Sequence, residues 1–450
     1  MTAQNTGQQY KITDAVITAD RFGDTQIEVT SLIMELNIFE NMEIPFLTAG
    51  LVLVDDNAII SSIAFSGTER FTFTVYSVET GLNSETSFTH TFIIANIDKI
   101  IKTTDKTEVY SFYLIDEHAF KDANILLSKS YNGQLQTIAA DIILNELGKS
   151  VDASYVLNQP TQGNCRVIIP YMTPLNSAKW LLDRATTKNG SPYFMWASMF
   201  DDNIRFGDLD TMISQTPFNS KVPYLYSAAA TASTEDTFES EKHFLIRNIE
   251  IDEVGNTLFL INEGAIGSDI VVQDISSNRF IHRHHSIKET LDKLESDEII
   301  SKETVQNVYD KEHKFLEDGE NTIYLADCVS RNYHVLTSYG TYGSKKSYHD
   351  SFDGAETLQR IKSNSMHSML ERNKINIEIS AVGLYLRKVS VGDTIRINFL
   401  NNDSQSDQTD QSTAYDKTKS GDYLITAVRH MLRQRQHTAI LTITKLTNQL

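Results

Sequence analysis

From Arg70 to Ser77 the chain reads RFTFTVYS, with Phe71, Phe73 and Val75 on one side of an extended backbone and Thr72, Thr74 and Tyr76 on the other. Successive strand side chains point to opposite faces, so this alternation demands a sheet with one buried face and is unsuited to a helix. The stretch from Ser31 leading into it holds a polar turn marked by Glu43 and Pro45, an apolar run from Leu51 to Val54, an acidic break at Asp55 and Asp56, and Gly67 at the final turn. From Tyr10 to Ile115 nearly every segment has strand character, ending in HTFIIANIDKII and TEVYSFYLI on either side of the turn Lys102 to Lys106. Closely spaced strands separated by Gly, Asn and Asp indicate an antiparallel sandwich or barrel.

The pattern returns near the C-terminus, where KINIEIS, TIRINFL, DYLITAV and TAILTITKL alternate and Gly392 and Gly421 mark turns. Gly67 introduces ERFTFTVYS and Gly392 introduces DTIRINFL; each strand is followed by a polar loop and then a long hairpin. With Phe92 placed on Tyr423 the two hairpins run without a gap. Apolar positions coincide at Phe92/Tyr423, Ile94/Ile425, Ile97/Val428, Tyr110/Leu441 and Phe112/Ile443, and Thr107 falls on Thr438. A duplicated barrel is expected. Three such chains around a threefold axis would present six similar barrels on the inside.

Between the two ends the periodicity changes. Leu135, Ile138, Ala139, Ile142, Ile143 and Leu147 follow the helical rule, with Gly148 placed to stop the helix. A second helix begins at Thr173, which can cap free backbone donors, with Pro174 at the first helical position; Leu175, Ala178, Leu182 and Ala185 supply its buried face. Two short strands, PYFMWAS and NIRFG, turn at Asp201 to Asn203, and a short helix follows in DLDTMIS. GSDIVVQDISSNRFIHRHHS reads as a hairpin, and Ser286 to Asp318 as a charged helical stretch with Ile287, Leu291 and Leu294 on one face and Val305, Val308 and Tyr309 on another. The helix from about Ala355 to Arg372 has capping-box spacing at Asp353 and Glu356. The polar run from Asn401 to Ser420 reads as a loop inside the second barrel.

The expected fold class is therefore α+β, mainly β. The expected division is a first β-barrel domain at 1–116, a middle α+β domain at 117–215, a linker with strands contributing to the second barrel at 216–285, a helical and loop insertion at 286–352, and the second barrel at 353–450.

Net charge is −19, and the first sixty residues hold nine carboxylates against Lys11 and Arg21. Such a surface repels phosphate, which disfavours a nucleic-acid grip; it reads as an ordinary solvated acidic surface or, more sharply, as a wall past which DNA slides without sticking. The two cysteines, Cys165 and Cys328, fit no disulfide framework or zinc spacing. Neither an apolar run long enough for a membrane span nor a basic-then-apolar leader is present.

Candidates for chemistry are weak. His282, Arg283, His284 and His285 put two imidazoles on one strand face without an evident third ligand. Ser347, Tyr348, His349 and Asp350 are neighbours in sequence, which is poor placement for a triad assembled in space. Gly340 and Gly343 lack the spacing of a phosphate loop. No catalytic, cofactor or metal residue is nominated. A basic island at Arg429, His430, Arg433, Arg435 and His437 reads as a solvated turn or as a docking patch for an acidic neighbour.

In layout the chain resembles the baseplate hub protein of T-even-like contractile-tailed phages. The likeness lies in AGLVLVDDNAIISSIAFSGTERFTFTVYS, in LIDEHAFKDANILLSKSY after the first hairpin, and in the middle stretch from RVIIPYMTPLNSAKWLLDRA to GDLDTMI. It continues in GAETLQRIKSNSMHSMLERNKINIEISAVGLYLRKVSVGDTIRINF and the last hairpin. The helical stretch from Ser286 and the loop from Asn401 depart from it. The resemblance implies tail-tube-like barrels, a non-enzymatic homotrimer, and a place in the virion tail baseplate after assembly in the host cytoplasm. It also implies tail tube, central spike and surrounding baseplate partners, and an axial channel for DNA. The spike components of type VI secretion and extracellular contractile injection systems are the neighbouring reading, and a tail-associated cell-wall hydrolase is the enzymatic one.

Overall fold

A computed structural model describes residues 8–77, 87–152, 165–226, 245–250, 257–274, 278–299, 314–337, 355–380, 388–399 and 415–445, except 24, 61, 62, 64, 298, 319, 320, 325–327, 373, 416–418, 434 and 435. The N-terminal alternation becomes six long strands: β1 (Gln8–Thr18), β2 (Ile33–Asn41), β3 (Ile44–Asp55), β4 (Arg70–Ser77), β5 (Ser87–Lys102) and β6 (Glu108–Asp116). They pair in the order β1-β4-β5-β6-β3-β2, each neighbour antiparallel. Their inward residues form one apolar cluster in which Phe71, Phe73, Phe92 and Phe112 have no exposed surface. Phe73 stacks between Phe71 at 5.3 Å and Phe92 at 6.1 Å. Burying each ring contributes about 1.5–3 kcal/mol.

The middle of the chain adds α1 (Glu117–Asp122), α2 (Leu135–Ile142), α3 (Pro174–Leu182), the hairpin β7 (Tyr193–Ala197) and β8 (Ile204–Asp208), and α4 (Leu209–Ile213). After α2 a π-helical turn, Ile143–Leu147, ends at Gly148 in the left-handed region, φ 73°. The Thr173 side chain accepts from the Asn176 N–H with Pro174 following, as expected. Every residue of β7 is buried, and its alternation splits the strand between two cores: Tyr193 and Met195 join the helical cluster, Phe194 and Trp196 the C-terminal one. Ala197 and Met199 then enter the N-terminal cluster, so one strand ties all three together.

The C-terminal half carries β9 (Tyr224–Tyr226), β10 (Ile246–Glu250), α5 (Thr257–Glu263), β11 (Gly267–Asp274), β12 (Arg279–Ser286), α6 (Ile287–Ser296), β13 (Arg331–Thr337) and α7 (Ala355–Arg372). It ends in β14 (Ile375–Ser380), β15 (Thr394–Phe399), β16 (Gly421–Arg433) and β17 (Gln436–Thr444). Six of these strands pair in the order β9-β15-β16-β17-β14-β10, and a bridge from Leu225 to Leu245 brings the two end strands together. The mainly β, α+β class is as expected.

Two sequence expectations change. The stretch to Asp318 is not one helical region: α6 ends at Ser296, and Lys314–Asp318 is a strand antiparallel to Asn321–Tyr324. Asp318 opposite Asn321 leaves a two-residue connection beginning with Gly319, a hairpin signal masked by the surrounding charge. Val305, Val308 and Tyr309 lie outside the described residues, as do Asp353 and most of the polar run 401–420. The hairpin β11–β12 does not enter the C-terminal ring either; it forms a separate sheet with β13 parallel to β11.

Candidate functional site

The two strand sets are copies. Following the chain, β1, β2, β3, β4, β5 and β6 occupy the same places in one ladder that β9, β10, β14, β15, β16 and β17 occupy in the other. One difference lies at the start, where β1 pairs antiparallel with β4 while β9 pairs parallel with β15.

The turn before β4 and the turn before β15 share a mechanism. Glu69 accepts from the Ser66 N–H at 2.8 Å and the Gly67 N–H at 2.9 Å; Asp393 accepts from the Ser390 N–H at 2.9 Å. Each acid lies three residues after its serine, so a short carboxylate folds back onto the turn. The carbonyl of Glu69 then takes the Ile94 N–H at 2.8 Å, and that of Asp393 the Ile425 N–H at 3.0 Å. Both hairpins next carry a register shift at the matching place, between Ile94 and Asn96 and between Ile425 and Ala427. The glycines of these turns, Gly67 at φ 82° and Gly392 at φ 89°, fall at the second and third positions of the shared Ser-x-x-acid, so it is the serine and the acid that align the turns.

The gapless sequence alignment fails after the hairpin turn. Ile97 opposes Phe112 and Val428 opposes Leu441, so Phe112 corresponds to Leu441 and not to Ile443, and Tyr110 and Thr107 shift likewise. A two-residue slip leaves every side chain on its original face, which is why apolar positions still coincided.

The rings meet at the β16–β17 hairpin. Its base belongs to the C-terminal ring, while its tip runs onto the other ring: Ala427 to Arg433 pairs antiparallel with Asn41 to Glu35 of β2, and His437 and Gln436 pair with Gln8 and Gln9 of β1. The tip thereby fills the gap between β1 and β2, and the N-terminal ladder returns on itself. The basic island is mostly absorbed in this seam. Arg429 donates to Asn37 at 3.1 Å and lies 3.9 Å from Glu35, Arg433 approaches Glu35 at 3.7 Å, and the Arg429 guanidinium sits 5.7 Å from the Phe39 ring. The acidic neighbour is thus in the same chain. His430 and His437 are buried; Arg435 lies outside the described residues.

Beneath the tip, Glu40 is buried and collects groups from three other segments. The Met199 N–H donates to it at 2.9 Å, the Ser390 hydroxyl donates to it, and His430 Nε2 lies 3.4 Å away, with His430 Nδ1 3.2 Å from His437 Nε2. Burial by itself would raise the Glu40 carboxyl, but His430, Ser390 and Met199 hold it below the usual carboxylate range. Burial, with His430 adding to it, pushes His437 well below an ordinary imidazole. The knot was not foreseen from the sequence, where Glu40 reads as part of an acidic surface. Of the six carboxylates between Ser31 and Ser77, Glu40, Asp55 and Glu69 are buried. Asp55 accepts from the N–H groups of Asn57 at 3.0 Å and Ile60 at 2.7 Å, so much of this acidic set caps turns and does not line a surface.

Other titratable clusters have structural explanations. His282 and His284 do share a face, and both approach Asp269 on the neighbouring strand, at 3.7 Å and 2.9 Å. Glu43, His367 and Glu371 could together hold a metal ion by their spacing. Lys374 already pairs with Glu371 at 2.5 Å, and His367 binds Glu43 at 2.7 Å, which lowers the Glu43 carboxyl to about 2 and raises His367. A groove of about 980 Å³ beside β5 contains His90, Asp116 and His118. Asp116 takes His90 at 2.6 Å and the Leu47 N–H at 2.6 Å, while His118 faces the Pro45 carbonyl at 2.9 Å, so neither imidazole is bonded to a nucleophile. Ser347 to Asp350, Gly340 and Gly343 lie outside the described residues.

No family model matches the sequence, and no curated protein is similar to it in sequence. Among solved structures, the tail protein from Neisseria meningitidis MC58 superposes with a TM-score of 0.50 at 12% identity, over 97% of each chain. The 43 kDa tail protein of prophage MuSo2 from Shewanella oneidensis superposes with a TM-score of 0.52 at 12% identity, over 97% of this chain and 99% of its own. At that identity the likeness is one of fold, and the chain has the mainly β fold of these tail proteins along nearly its whole length.

Proposed function

We propose that the chain is a structural, non-enzymatic subunit of the baseplate hub in a contractile phage tail. Three copies surround an axis, joining the sixfold tail tube to a threefold central spike and leaving an axial passage for DNA. The observation that carries this reading is the pair of six-stranded rings in one chain, equivalent in strand order, turn and hairpin, and fused through the β16–β17 tip. Two equivalent units per chain turn threefold symmetry into near-sixfold symmetry where only those units are exposed, while the unrepeated parts stay threefold. The segment inserted between β10 and β14, the equivalents of β2 and β3, is such an unrepeated part. The fold shared with two tail proteins supports the tail assignment. The formal charge of −19 suits passage of DNA without retention.

Sedimentation of the purified chain tests this reading, with a particle of three chain masses expected and a monomer at high concentration opposing it. A turbidity assay on peptidoglycan is expected to stay flat; clearing by this chain alone would favour a hydrolase.

A further inference from the structure

We propose that the tip of the β5–β6 hairpin, residues 96–108, is the contact by which one copy of this chain binds the next, by adding to the edge of β10 beyond its bridge to β9 in a second copy. The proposal rests on the trimer reading and supplies its interface. The argument comes from the internal repeat, in which one of two equivalent hairpin tips is seated and the other is free. The seated tip, on β16–β17, leaves its own ring and pairs with β2 of the other ring. Along the free tip β5 pairs only with β6 among the described residues, Asn96 to Lys102 against Tyr113 to Glu108, while Glu108 to Tyr113 also pair with Asp55 to Gly50 of β3, so the free edge is that of β5. His430 and Leu432 of the seated tip are buried, whereas Ile100 is 56% and Ile101 43% exposed on the free one. Two adjacent exposed isoleucines on a projecting strand edge invite pairing with another chain.

The receiving edge is also present. β10 corresponds to β2, the strand that takes the seated tip. It pairs with β14 on one side, and on the other holds only the bridge from Leu245 to Leu225 among the described residues. Asn248 and Glu250 of this edge are exposed. Charge is compatible with the fit: Arg429 and Arg433 of the seated tip meet Glu35 of β2, and the free tip carries exposed Lys99, Lys102 and Lys106 beside Asp98 and Asp105, where β10 carries Glu250 and Arg247. A free tip and a free edge within one chain make a heterologous, head-to-tail contact. Such contacts close into a ring when the rotation permits, and closure at three copies places six tips on six edges.

The test uses the full chain in sedimentation equilibrium. Because residues 98–106 are exposed, the substitutions Ile100→Asp and Ile101→Asp are expected to leave the thermal midpoint near that of the parent while converting trimer to monomer. The milder pair Lys99→Glu and Lys102→Glu is expected to weaken association about tenfold or more, the effect of about 1.4 kcal/mol. Adding Glu250→Lys to that pair is expected to restore part of the loss, which a merely structural tip would not allow. A parent trimer that survives both pairs of substitutions overturns this inference and leaves the trimer reading standing; a monomeric parent overturns both.

Discussion

The N-terminal and C-terminal rings use the same six-strand order, yet differ at both ends of their hairpins. In the N-terminal ring β2 turns into β3 through Met42 and Glu43 alone, whereas the C-terminal ring inserts everything from α5 to α7 between β10 and β14. The β5–β6 tip stands in solvent; the β16–β17 tip is buried against the other ring. A sheet tolerates this divergence because its ladder and inward face set the ring, while a hairpin end lies beyond the core of its own ring; Leu432 of the seated tip enters the other ring's cluster. The two rings therefore share their strand order and differ at their hairpin ends, one seated in a seam inside the chain and one exposed.

The largest contrast is expected at the two turn glycines, which sit one position apart in the shared Ser-x-x-acid motif, Gly67 second and Gly392 third. A Cβ on Gly392 would lie 2.4 Å from Trp196 Cζ2 at φ +89°, whereas on Gly67, at φ +82°, it would meet only the Ala95 carbonyl oxygen at 4.0 Å. Gly392→Ala combines backbone strain with overpacking and should cost about 4 kcal/mol; Gly67→Ala carries strain alone, about 1–2 kcal/mol. Urea unfolding of both variants measures the difference, and equal losses would break the comparison.

Next in size is the knot. Glu40→Ala should cost about 3 kcal/mol, because it strips the Met199 N–H, the Ser390 hydroxyl and His430 of a buried partner. Loss is expected in both rings at once, which hydrogen exchange at Leu36 and Val428 reads directly. Exchange confined to one ring would mean that Glu40 does not join them.

Acid should open the seam before it opens the ring cores. His437 is held below its unfolded pKa, so its contribution is complete above about pH 6.5 and falls as the unfolded state gains a proton below that. Glu40 and Glu69 are also lowered, and their contributions persist above about pH 4.5 and fade under it. Exchange at the β16 tip should therefore rise between about pH 6.5 and 4.5 while the β4–β5 core stays protected. Simultaneous opening of both would contradict this order.

The smallest effects belong to exposed ion pairs. The Glu43–His367 pair ties the β2–β3 turn to α7. A lowered acid and a raised imidazole make its contribution largest between about pH 4.5 and 6.5. His367→Ala should cost at most about 1 kcal/mol, with the largest loss in that window. A double-mutant cycle of Glu35→Gln with Arg433→Gln should give a coupling of about 0.2–1 kcal/mol, and zero coupling would remove charge from the account of how the seated tip finds its register.

Alternation at Phe71, Phe73 and Val75, the helical face from Leu135 to Leu147 and the Thr173–Pro174 start were legible because each is local: one strand or one turn decides it. The duplication was legible for the same reason, but its register was not, since alternation reads the same after a slip of two. The seam was hidden because it joins residues nearly 400 apart, as in the Arg429 to Asn37 bond, whose ends are 392 positions apart. Without that partner the basic run looked like a surface, and Glu40 like its acidic opposite. The Ser-x-x-acid turns at Ser66 and Ser390 mark the equivalent strand starts but say nothing of the seam.

End-on imaging of the purified particle tests the central claim most directly. Two equivalent rings per chain, repeated by threefold symmetry, should give class averages with six inner lobes around a central opening and three outer projections. Three inner lobes, or a particle with no central opening, would contradict the account.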